Sequence, residues 1–173
     1  LLNDKGRQQA QRLAQRLKDL PIAAIYCSPL ERTMQTATPL ADLLGLPCIV
    51  STYFQEINFG EWTNKSLEEM RTNAGFIRFN TFRSSTRIPG GELVSETQER
   101  VVCGIEKLRD IHAEKTVAVF SHGDPIRTAI AYYAGIPIDL FTRIEISPAS
   151  VSILELDDDT ARIVLLNAMS HEL

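Results

Sequence analysis

Two short stretches carry residue types that act on anions. In Cys27-Ser28-Pro29-Leu30-Glu31-Arg32 an apolar run ends at Ser28, and an arginine follows four positions later. In Ser121-His122-Gly123-Asp124-Pro125 a second apolar run ends at a histidine. Both read as strand-turn-helix junctions. Helix N-termini present unpaired amides and the positive end of the dipole, and both favour an anion. Arg32 falls one turn into its helix on the face of Ser28, where a guanidinium can fork onto two oxygens of a phosphate. His122 sits at the turn itself. Each also has an ordinary explanation: a turn histidine satisfied by backbone, or a surface helix arginine. Glu56, in a loop rich in aromatic and acidic residues, reads by itself as a solvated carboxylate. Phe54, Phe59 and Trp62 read as packing that loop on the sheet. His112 follows a helix and is expected to face water, and His171 lies close to the C-terminus, where fraying is the rule.

The elements that must hold these residues follow from periodicity. Ala10, Leu13, Ala14 and Leu17 form one stripe of a surface helix over 4–19, with Asn3 as its cap. The apolar run 22–27 reads as a buried parallel strand. Ser28 at N-cap, Pro29 at the first helical position and Glu31 at the third predict a capping box. The helix behind it runs to Leu44, kinked at Pro39 and stopped by Gly45. A strand is expected over 46–51, a loop over 54–62, a short helix from Ser66 boxed with Glu69, a helix over 73–82 and a turn over 88–91. A long helix over 93–111 precedes 116–121, the clearest buried strand in the chain. Asp124 as cap and Pro125 at the first position start a helix over 126–134. Strands are expected over 140–146, 151–156 and 162–166, the last two joined by a turn at Asp157-Asp158-Asp159. The order is that of an α/β layer fold closed by an antiparallel edge, in which ligands bind beyond the carboxyl ends of the strands.

Bulk properties narrow the classes. At about 150 residues per domain, 173 residues make one domain, able to bury a core without disulfides. The net charge of −4 and the lack of a long basic run argue against binding a nucleic-acid backbone. No apolar stretch approaches the roughly 20 residues that span a bilayer. Polar residues interrupt every apolar pair of the first helix, so it does not read as a signal peptide, and a cytoplasmic protein is expected. Cys27, Cys48 and Cys103 fit neither a redox CxxC nor a zinc knuckle and read as buried free thiols. The dinucleotide-binding glycine fingerprint and the Walker lysine are absent.

Taken together the motifs resemble the histidine phosphatase superfamily, the phosphoglycerate mutase-like fold, over almost the whole chain. Gly6, Gln9 and Ala10 resemble its first-helix pattern. The run from Cys27 to Ala37 resembles its most characteristic internal motif, with the phosphate-binding arginine on Arg32. Gln55-Glu56-Ile57-Asn58-Phe59-Gly60-Glu61-Trp62 resembles its acid loop, with the proton donor on Glu56. Pro89-Gly90-Gly91-Glu92 resembles the segment before the next helix, although Leu93 stands where the family often has serine. Ser121-His122-Gly123 with Arg127 resembles the second-histidine motif, and residues 167–173 resemble the closing segment. The family's opening Arg-His-Gly, whose histidine is the nucleophile, does not occur, so that histidine is expected upstream of Leu1 with the strand and loop that carry it.

The resemblance implies a three-layer α/β/α sandwich with a mostly parallel central sheet. It implies a phosphomonoester hydrolase that works through phosphohistidine and needs no metal or other cofactor, with which the sparse histidines and scattered carboxylates are consistent. His122, Arg32 and Glu56 would be catalytic, and Ser28, Gly123 and Glu92 would join Arg32 in binding substrate. Family mutases carry a long insertion after the acid loop, whereas only 26 residues separate Trp62 from Pro89. That favours a phosphatase acting on a small soluble phosphate, with a mutase as the alternative. A noncatalytic phosphate-binding protein is a second alternative, disfavoured because a sensor has no need of the acid at Glu56. Residues 65–88, with Phe76, Phe79 and Phe82 beside Arg71, Arg78, Arg83 and Arg87, would choose the substrate. Edge strands near the C-terminus can pair two subunits into a homodimer or be covered by the terminal tail.

Overall fold

The computed structural model of the protein describes residues 1–169. Helix α1 (Asp4–Leu17) is capped by Asn3, whose side chain accepts the Gly6 N–H. Strand β1 (Ile22–Cys27) is the centre of a three-stranded parallel sheet, flanked by β2 (Cys48–Val50) and β3 (Thr116–Phe120). The pairing sets Tyr26 opposite both Ile49 and Val119. It continues past the strand ends, because Ser28 N–H donates to Phe120 O and Ser51 N–H to Cys27 O.

Alternation along β1 builds the layers. Ile25 and Cys27 face a core made with α1 and α2 (Glu31–Leu44), including Leu13, Leu17, Ala37 and Leu40. Tyr26 faces the other side, toward Phe54, Val101 and Ala129, where α5 (Val94–Ile111) packs on α6 (Gly123–Tyr133). The result is the three-layer α/β/α arrangement. Strands β4 (Val151–Leu156) and β5 (Ala161–Ala168) pair antiparallel in a separate two-stranded sheet. The expectations for the tail, including His171, lie outside the described residues.

Several local expectations need correction. Ser28 is not the N-cap of α2: Leu30 is, and the hydroxyl of buried Thr33 donates to the carbonyls of Ser28 and Leu30 instead. Asp124 and Pro125 lie inside the first turn of α6, which is capped by extended His122. The strand expected over 140–146 is a 3-10 turn, Ile138–Arg143. The residues that pack on the core, Ile138 and Phe141 in the turn and Ile144 just after it, repeat every third position, and that period suits a tight helix rather than a pleated strand. Strand β3 is less buried than its apolar sequence predicts, with Val119 38% exposed, because its other edge pairs with no described strand. Cys103 is exposed rather than buried. His112 does not simply face water, since its Nε2 is 2.9 Å from the Tyr26 hydroxyl.

The irregular stretch is anchored from afar. Two 3-10 turns, Thr52–Phe54 and Gly60–Trp62, bracket the loop that holds Glu56. Short helices α3 (Leu67–Met70), with its Ser66–Glu69 capping box, and α4 (Ala74–Thr81) then cover Trp62, which meets Phe76 and Phe79 edge-on. Trp62 thus packs under the covering helices rather than on the sheet.

Candidate active site

The ends of β1 and β3 bring together three of the residues singled out above. Ser28 is fully buried, and its Oγ lies 2.8 Å from His122 Nε2. The Arg32 Nε–H donates to His122 Nδ1 at 3.1 Å. Because Nδ1 accepts, the ring proton sits on Nε2 and is donated to Ser28. The imidazole is therefore neutral, with a fixed tautomer. Burial, then the charges of Arg32 and Arg100, push its pKa down to about 4.

Glu56 reaches the same point from the loop. One carboxyl oxygen accepts the Ile57 N–H at 3.0 Å; the other lies 3.6 Å from Arg32 and 3.8 Å from His122 Nδ1. Two opposed effects act on this carboxyl. Arg32 favours the carboxylate, but burial and then the negative charge of Asp124 outweigh it and raise the pKa to about 7. With His122 neutral and Glu56 largely protonated below pH 7, their contact is not an ion pair but a proton-bearing acid beside a base. Half-exposed Arg32 is the open cationic wall of the site.

Gly123 is the first residue of α6, so its amide belongs to the helix turn beside His122. Glu92, expected to bind substrate, has its carboxylate engaged within the protein. Its carboxylate forks onto Arg100 through two contacts of 3.1 Å and accepts the Asn58 N–H at 2.8 Å. Arg100 Nη1 is shared among the carbonyls of Thr52, Tyr53 and Gln55, at 3.3, 2.9 and 3.0 Å. The pair clamps the loop around Glu56. A second clamp is steric. A side chain on Gly60, at φ +45°, would fall 2.2 Å from Pro89 O, and one on Gly91 2.2 Å from Asn58 O. A third tie runs from Ser121 Oγ to Phe54 O at 2.7 Å.

Sequence reasoning missed Arg100 and the electrostatic part played by Asp124. Asp124 pairs with Arg127 at 2.8 Å, while Arg127 also holds Ile144 O at 2.9 Å. Arg83 lies over the rings of Phe79 and Phe141, 4.7 and 5.2 Å from their centres, within the field of Asp124 and Arg127. No motif announces Arg100, since its partners are backbone carbonyls of a distant loop. Asp124 next to the histidine turn was visible but reads as a cap. Among the described residues no three His, Cys, Asp or Glu side chains gather to hold a metal ion, and no helix is long and apolar enough to cross a membrane.

The strand ends of the α/β sheet thus gather a helix N-terminus, an arginine, a neutral histidine and an acid of raised pKa, groups suited to an anionic ligand. The model of the histidine phosphatase superfamily, branch 1, matches residues 1–169, and the chain belongs to that family. It is 30% identical to phosphoserine phosphatase 1 of Hydrogenobacter thermophilus, over 98% of this chain and 82% of that protein. The solved structure of Bacillus stearothermophilus YhfR superposes with a TM-score of 0.93 at 28% identity, covering 99% of this chain and 87% of that one. The α-ribazole phosphatase of Shigella flexneri shares the fold, with a TM-score of 0.87 at 22% identity over 97% and 84% of the two chains.

Proposed function

We propose that the protein hydrolyses a small phosphomonoester through a phosphohistidine intermediate. The observation that carries this reading is the convergence of Arg32, neutral His122 and a Glu56 carboxyl raised to about pKa 7. The family's attacking histidine lies in an opening Arg-His-Gly triplet, which does not occur among residues 1–173.

The phosphoryl dianion enters beside the first turn of α6 and draws the Arg32 guanidinium from His122 Nδ1 to its own oxygens. Negative charge next to the imidazole favours its protonated form, so His122 becomes a donor to the phosphoryl group. The nucleophilic nitrogen bonds to phosphorus while the ester P–O bond breaks. Glu56 gives its proton to the departing oxygen, which is a poor leaving group as a bare alkoxide. Water then attacks the phosphohistidine, Glu56 takes back a proton, and phosphate leaves as the P–N bond breaks. Ser28 holds the imidazole, and Glu92 positions the acid loop through Arg100 rather than touching substrate.

The relative named phosphoserine phosphatase makes phosphoserine the first substrate to assay, beside 3-phosphoglycerate, α-ribazole phosphate and p-nitrophenyl phosphate. In the full-length protein, His122→Ala and Arg32→Ala are each expected to lower kcat/KM on the order of 10²–10³-fold on the best substrate. Unchanged turnover in both would place the site elsewhere.

A further inference from the structure

Cys27 and Cys48 meet at a place the phosphoryl chemistry does not use. They belong to neighbouring parallel strands, with Ile25 opposite Cys48 and Cys27 opposite Val50. Cys27 is two residues beyond Ile25, so both cysteines project from the same face of the sheet. There they share the core beneath α1 and α2, and their Sγ atoms lie 2.7 Å apart. Cys27 is fully buried and Cys48 partly buried, while Cys103 lies on the surface of α5, outside that core. Nothing intervenes between the two sulfurs, and Cys48 is the less buried of the pair.

The geometry points to a dithiol–disulfide site in which Cys48 meets a hydroperoxide and Cys27 resolves the product into an intramolecular disulfide. Sulfur of the Cys48 thiolate attacks the O–O bond of hydrogen peroxide. The sulfur is oxidised to a sulfenic acid, and the other oxygen leaves as water. The Cys27 sulfur then bonds to Cys48 Sγ, and the sulfenic hydroxyl leaves as a second water with the Cys27 proton. A small thiol reverses the bond by exchange, itself being oxidised to its disulfide. Exposure sets this order, and burial, which holds the Cys27 thiol protonated well above its ordinary range, agrees with it. The bond closes a span of 21 residues and ends one residue before Ser28, whose Oγ holds His122.

The test is read by mass and is independent of turnover, so it stands or falls apart from the phosphatase reading. Full-length protein carrying Cys103→Ser is treated with hydrogen peroxide, blocked with iodoacetamide and mapped without reduction. The expected result is a linked Cys27–Cys48 peptide that dithiothreitol releases, with a Tm gain on the order of 5 °C in the oxidised form. Cys27→Ala should leave Cys48 as a sulfenic acid that dimedone traps, whereas Cys48→Ala should leave Cys27 unmodified at the same dose. Finding both cysteines alkylated and unlinked in the unsubstituted pair, at a dose that oxidises Cys48 in Cys27→Ala, would overturn the inference.

Discussion

The two halves of the site are built by opposite means. Ser28, Arg32 and His122 sit where strands end and helices begin, so the sheet positions them through its own ladder, down to the bond from Ser28 N–H to Phe120 O. Glu56 sits on a loop with no ladder. It is positioned by Arg100 of α5 and by Glu92, two residues before that helix, by the close approach of Gly60 to Pro89, and by Ser121. A floor made of regular structure is held by many ladder bonds at once; a loop held by a few distant contacts depends on each in proportion to what it ties down.

That contrast orders the expected outcomes. Arg100→Ala should have the largest combined effect. It removes three carbonyl contacts and leaves the Glu92 carboxylate, only 19% exposed, without its partner. A stability loss of roughly 3 kcal/mol is expected in urea unfolding, with kcat falling further than that of Arg100→Lys. If the two variants behave alike, the forked geometry is not what holds the loop. Gly91→Ala should follow, because its new carbon would meet Asn58 O at 2.2 Å and push the loop away from Arg32. About 2 kcal/mol of stability and most of the activity should go, whereas a comparable change at open Gly45 strains only a turn.

Protonation separates the halves more gently. Folding raises the Glu56 pKa from 4.5 to about 7, so the folded state holds an extra proton between those values and stability falls as pH rises through that window. Folding lowers the His122 pKa from 6.5 to about 4, so there the unfolded state holds the extra proton and stability rises with pH between those values. The two slopes oppose each other where they overlap. Glu56→Gln removes the first and should gain on the order of 2 kcal/mol relative to the unsubstituted protein between pH 4.5 and pH 8. A flat difference across that range would mean that Glu56 is not held protonated. The smallest effect belongs to Ser121→Ala, which loses one loop tie, worth about 1 kcal/mol, and should leave KM near its starting value.

The same contrast explains what could be read from the amino acids. Residues 27–32 and 121–123 were legible because an apolar run, a turn and a helix start are local signals. So were α1, the Ser66–Glu69 box and the layer order. The cap assignments failed at Ser28 and Asp124 because both side chains are recruited by a residue from elsewhere or by the next turn: Ser28 by His122, Asp124 by Arg127. The 140–146 stretch was misread because a period of three passes for alternation over so short a span. Glu56 was found only by resemblance, and Arg100 not at all, since a side chain that grips distant carbonyls leaves no pattern in its own neighbourhood.

The central claim is that Glu56 delivers the proton to the leaving group. It is tested most directly by comparing full-length protein with its Glu56→Gln variant across phosphomonoesters of graded leaving-group pKa. The loss in kcat/KM should be small for p-nitrophenyl phosphate and grow to on the order of 10²-fold or more for alkyl phosphates. An equal loss for every ester would contradict the assignment.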